Sequence, residues 1–163
     1  MVTLRTESRG TDKNTAEVGS MHIITSGPAV MQPRDTRTFH PTPPLRTTLA
    51  EINALATWEA GWNGYDAPSI QLAAIALVVR WLDAFYDVVT HAAMPWDAPN
   101  VTGGSEGEVV LEWWHGTKKL TIYIAPARID YVKVWGTDID HEMEDGELTT
   151  YSVFLSLWEW LHQ

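Results

Sequence analysis

A chain of 163 residues with no cysteine carries 21 Asp/Glu against 11 Lys/Arg. The missing thiols exclude a disulfide framework, a thiolate metal site and a cysteine nucleophile. The net charge of −10 opposes direct binding to nucleic acid, whose phosphates proteins meet with cations. The longest apolar run, Leu72 to Val79, is far too short to span a bilayer, and the first twenty residues lack the apolar core of a signal peptide. A cytoplasmic protein without a membrane partner is the expectation.

The charge is segregated. Residues 1–46 hold six Lys/Arg against four Asp/Glu, whereas residues 47–163 hold five against seventeen, a net of −12. The first segment is rich in Thr, Ser, Arg and Pro and has no helical or strand periodicity, so it reads as a flexible, disordered tail. Translation from Met21 or Met31, or an edge strand begun by His22, are alternative readings of it. Residues 47–163 read as a single acidic α+β domain. Nine Trp in the chain give that domain large apolar groups for a core or a recognition surface.

In chain order, Thr48 and Glu51 have capping-box spacing, and Leu49, Ile52, Leu55 and Ala56 recur at helical intervals, predicting a helix over 48–59. GWNGYDAP follows, dense in turn formers, with Asn63-Gly64 suited to positive φ. Ser69 is the predicted cap of a second helix over 70–89, with a buried stripe of Ile70, Ala73, Ala74, Leu77, Trp81, Phe85 and Val88. Strands are predicted over 108–114, 119–125 and 129–135, joined by connections short enough for hairpins, with a fourth near Asn100-Val101. Alternation places Val109, Leu111 and Trp113 beside Leu120, Ile122 and Ile124 on the helix-covered face. An acidic loop over 137–147 leads to a last amphipathic helix through Phe154, Leu157, Trp158 and Leu161. The predicted fold is α+β: an antiparallel three- to four-stranded meander packed against two N-terminal helices and one C-terminal helix.

AGWNGYDAPSI (60–70) and EGEVVLEWWHGTKKLTIYI (106–124) resemble a family of small, mostly uncharacterised bacterial and phage proteins. In that family a Trp-Gly-Tyr loop precedes a helix, and a strand ending in Leu-Glu-Trp begins a small meander. The resemblance covers about 48–135. It implies a shared α+β fold and a mobile-element or defence setting, and it transfers no catalytic residue.

Candidate sites are weighed against plainer roles. Trp62 and Tyr65, with Asp66, could present two aromatics and a carboxylate to a ligand, or simply plug a helix connector. Glu112 faces away from Leu111 and Trp113, together with Trp114. It is a solvated carboxylate if one face of the sheet is covered, and a buried acid or base if both are. The segment 138–147 concentrates Asp138, Asp140, Glu142, Glu144, Asp145 and Glu147 around His141. It fails the EF-hand pattern, with Met143 where glycine is needed, so it reads as a patch for a basic partner and not as a metal site. His91 and His115 fall at element ends, and no phosphate loop or nucleophile elbow is present. No metal and no cofactor is expected.

The leading functional expectation is a non-enzymatic protein-protein interaction module, of inhibitor, immunity or antitoxin type. It would bind a basic, nucleic-acid-handling protein through Trp62, Tyr65, Trp114, Trp160 and the 138–147 carboxylates. The alternatives are a small hydrolase using Asp66, Glu112 and His115 in a cleft between sheet and helices, and a self-assembling homo-oligomer joined through the C-terminal helix.

Overall fold

The structure, a computed structural model, describes residues 42–163. The expectations for 1–41, the disordered tail and the His22 strand among them, lie outside those residues. Helix α1 (Pro43–Ala54) starts earlier than predicted and runs on into a 3-10 turn at Leu55–Thr57. Thr42, in extended backbone, precedes a proline in the first turn, whose ring fixes the helical φ and whose missing N–H needs no partner there. Residues 43–46 are thus helix and not tail. Thr48 is interior, not a cap: it is buried, and its hydroxyl donates to the Pro44 carbonyl at 3.2 Å.

The loop after the 3-10 turn is braced by its own groups. Asn63 Oδ1 accepts from the backbone N–H of Tyr65 (2.8 Å) and Ala67 (3.2 Å). Gly61, Gly64 and Asp66 take positive φ, so Asp66, not Asn63, is the non-glycine residue in the left-handed region. Helix α2 (Leu72–His91) follows Gln71 at the cap position and not Ser69. Its buried stripe is Ala74, Ile75, Val78, Trp81, Leu82, Phe85 and Val89. Ala73 is exposed, and Leu77 and Val88 are only half-buried. The predicted stripe is rotated because Leu72 to Val79 offers no polar residue to mark the outward side, so packing decides it.

Five antiparallel strands follow, each paired to the next: β1 (Asn100–Gly103), β2 (Val109–His115), β3 (Lys118–Ala125), β4 (Arg128–Val134) and β5 (Met143–Glu147). The meander therefore exceeds the three or four strands predicted. The added strand, MEDGE, lies within what reads as an acidic loop, and it lacks the β-branched and aromatic residues that mark strands. Its partner supplies the reason. Lys133 Nζ meets Glu144 Oε2 at 2.8 Å, and the Tyr131 hydroxyl donates to Glu144 Oε1 at 3.1 Å. Tyr131 lies across Gly146, where a Cβ would come within 2.9 Å of its ring. Glycine there admits the aromatic that holds the strand.

Val109, Leu111, Trp113, Leu120, Ile122 and Ile124 all enter one core cluster with side chains from α1, α2 and α3 (Tyr151–His162), as alternation requires. Helix α3 buries Phe154, Leu157, Trp158 and Leu161, the predicted four, and the Thr150 side chain caps it by accepting from Val153 N–H at 3.3 Å. Phe154 packs edge-on to Trp81 and stacks on Trp158. Phe154→Ala is expected to lower stability by about 3–5 kcal/mol in denaturant titration. Ile139→Ala, on a side chain 70% exposed, should change it by less than about 0.5 kcal/mol.

Candidate functional site

The two faces of the sheet differ. None of the residues whose side chains point away from the core cluster, among them Val110, Glu112, Trp114, Thr121, Tyr123, Val132 and Val134, belongs to it, so among the described residues this second face carries no helix. Trp114 is 55% exposed, Tyr123 36% and Met143 37%, while Val110 and Thr121 on the same face are buried. Lys119 Nζ meets Glu112 Oε1 at 2.5 Å and lies 5.0 Å from the centre of the Trp114 ring. Glu112 is thus a half-buried carboxylate paired with Lys119, between the solvated and the buried roles its position allows. Toward one end, a surface hollow is lined by Tyr123, Arg128, Asp130, Gln71, Glu106 and Glu108. Arg128 pairs there with Asp130 at 2.6 Å.

On the acidic strand β5, Asp145 and Glu147 share the open face with Val132 and Asp130, and Glu144 turns to the helix side against Lys133. Bonding to Lys133, followed by Tyr131, holds the Glu144 carboxyl below the ordinary carboxylate range against the opposing effect of burial. Burial, then Glu144, pushes the Tyr131 hydroxyl up. Asp138, Asp140 and Glu142 sit in the turn before β5 and are engaged locally. Asp138 Oδ2 contacts His141 Nδ1 at 3.0 Å, and Glu142 Oε2 accepts from Asp138 N–H at 2.9 Å.

The aromatic candidates divide. Trp62 is half-buried, packs on Trp58 at 4.5 Å between ring centres and donates to the Pro68 carbonyl at 3.2 Å, so it serves the connector. Tyr65 stands 88% exposed at the loop tip. Trp160 is half-buried beside Trp135, with Lys118 and Lys133 over its ring, so it is largely enclosed by its own chain. On α3, Tyr151, Ser152, Ser156 and Glu159 are exposed, and Val153, Leu155 and Trp160 are half-buried.

The hydrolase constellation is not assembled. Three residues apart on β2, Glu112 faces the open side and His115 the helix side, and Asp66 is exposed in the loop before α2. Near His115 the structure instead gathers two residues that no sequence spacing connects to it. Asp97, His115 and His162 place one ligand atom each within 4.8 Å of one another. The loop bearing Asp97 is tied down by two indoles: Trp113 Nε1 donates to the Asp97 carbonyl at 2.9 Å and Trp158 Nε1 to the Pro95 carbonyl at 3.1 Å.

No protein family, curated protein or solved structure matches the chain.

One carboxylate on α2 is held at a cost. Asp83 Oδ1 is buried without a hydrogen-bond partner. Burial first, and Asp87 one turn on second, raise its pKa above the ordinary carboxylate value. A raised folded-state pKa means that the folded chain keeps this proton longer than the unfolded one. Stability therefore falls as pH rises from the ordinary value through the folded value, and at neutral pH the ionised group is a liability. Asp83→Asn is expected to raise Tm at pH 7, with the advantage shrinking in thermal melts below about pH 4.

Proposed function

We propose that the chain is a non-enzymatic interaction module that binds a basic partner protein through the open face of its sheet. The observation that carries this reading is the exposure of Trp114, Tyr123 and Met143 on a helix-free face bordered by Asp130, Asp145 and Glu147. Aromatic side chains flanked by carboxylates suit a partner rich in Arg and Lys. The rings supply burial and cation-π contact, and the carboxylates supply charge pairing. The hollow beside Tyr123 adds Glu106 and Glu108 to that surface, its Asp130 being already paired with Arg128.

A net of −12 over residues 47–163 supports fast, salt-sensitive association with such a partner. An inhibitor, immunity or antitoxin-type protein of phage or mobile-element origin, presenting carboxylates where a nucleic-acid-handling protein expects phosphates, is the concrete form of the proposal.

A Trp114→Ala/Tyr123→Ala chain, compared with the native chain as immobilised bait, tests it. The native bait is expected to retain a basic protein whose affinity falls about tenfold or more between 50 and 300 mM salt. The double substitution should weaken that binding by a further tenfold or more, the scale of a lost aromatic anchor. A partner held with no salt dependence, or held equally by the doubly substituted chain, would refute the reading. Asp145→Lys/Glu147→Lys is expected to slow association more than it speeds dissociation in surface-binding kinetics.

A further inference from the structure

We propose that Asp97, His115 and His162 form a binding site for a zinc-type divalent metal ion. It lies on the helix side of the sheet, where the loop before β1, the end of β2 and the last turn of α3 meet. Two imidazoles and one carboxylate are a donor set that suits such an ion, and three protein ligands leave a coordination position for water or an outside donor.

The distances are compatible with it. Metal-ligand bonds of about 2.0–2.1 Å in tetrahedral geometry put donor atoms ~3.3 Å apart. Asp97 Oδ2 and His162 Nε2 stand 3.0 Å apart, and all three donors fall within 4.8 Å. His115 has the furthest to move and is the freest to do so: it is exposed, at a strand end, beside Gly116 at positive φ.

The stronger argument concerns the proton on His162. Its Nδ1 lies 2.9 Å from the Trp158 carbonyl, which can only accept, so Nδ1 carries hydrogen. In the neutral ring the lone pair of Nε2 then faces the Asp97 carboxylate, acceptor against acceptor. Only a proton or a cation between them relieves that juxtaposition. Metal-bound histidines commonly donate their other ring N–H to a backbone carbonyl in this way, which fixes the tautomer and aims the ligand nitrogen. A proton alone would satisfy the pair and leave His115, its ring centre 5.3 Å from that of His162, without a role. A metal ion uses all three groups.

The surroundings are built for the purpose. Trp113 and Trp158 hold the backbone around Asp97, and the same two residues lead to the other ligands: His115 lies two positions along β2 and His162 one turn along α3. The nearest cation on the paired strand, Lys118, opposite His115, is drawn off to the Trp160 carbonyl at 2.7 Å and over the Trp160 ring. The negative end of the α3 dipole also favours a cation there.

The test uses the full chain, free of any affinity tag and stripped with a chelator. Calorimetric titration with zinc chloride is expected to give one ion per chain with Kd of about 10 μM or tighter, and a Tm raised by about 5 °C at saturation. Cobalt(II) should bind with the visible absorption of a four- or five-coordinate ion. His115→Ala removes an exposed ligand, so the metal-free Tm should stay at the native value while zinc affinity falls at least about tenfold. Asp97→Asn should lower zinc affinity by at least about tenfold as well. A chain with His91→Ala and His141→Ala should bind as the native one does. Absence of saturable zinc binding below about 100 μM would overturn the proposal, and so would native affinity in both His115→Ala and Asp97→Asn.

Discussion

Two indole N–H groups hold the junction on which much of this structure depends. Trp113 on β2 and Trp158 on α3 pack edge to face with ring centres 5.6 Å apart, and each donates to a carbonyl of the 95–97 segment. A buried indole needs a partner for its single donor, and both rings are buried. The two contacts meet that need and together join a loop, a strand and a helix distant in the chain. Phe85 and Trp96 close around the Trp158 ring, and Phe154 around both. The histidine-carboxylate corner inherits its geometry from this clamp, because its three residues are attached to, or adjacent to, the residues that make it.

The sheet spends its two faces differently. One is filled by aliphatic and aromatic side chains beneath the helices. The other keeps buried Val110 and Thr121 among wider groups, with Lys119 shared between Glu112 and Trp114. The outer edge is β5, whose Glu144, Asp145 and Glu147 discourage indiscriminate strand pairing by like charge, a usual protection for an edge. Asp145 and Glu147 also border the proposed partner surface, whereas Glu144 faces Lys133 on the helix side.

Much of this was legible from residue order. Alternation in EVVLEWW and KLTIYIA assigns faces because a strand shows its neighbours in turn to opposite sides, and the structure agrees residue by residue. The buried face of α3 is equally plain, since Phe154, Leu157, Trp158 and Leu161 recur at helical spacing. Residue order and structure part where local signals are weak or misleading. Thr48 looked like a cap but sits inside a helix begun by Pro43, α2 offered no polar marker for its outward side, and MEDGE carried the composition of a loop.

By itself, then, the sequence determined the α+β class, the antiparallel hairpins, the inward set of β2 and β3 and the acidity of the domain, all of which follow from composition and from periods of 2 and 3.6. Tertiary structure alone decided that MEDGE becomes a strand, because Lys133 and Tyr131 on the neighbouring strand hold Glu144 and cover Gly146. It alone decided which tryptophans stay open to solvent: Trp62 and Trp160 were drawn into cover by their own neighbours, while Trp114 was not. It alone brought Asp97, His115 and His162 together, since residues in a loop, a strand and a helix share no spacing that a linear pattern could carry.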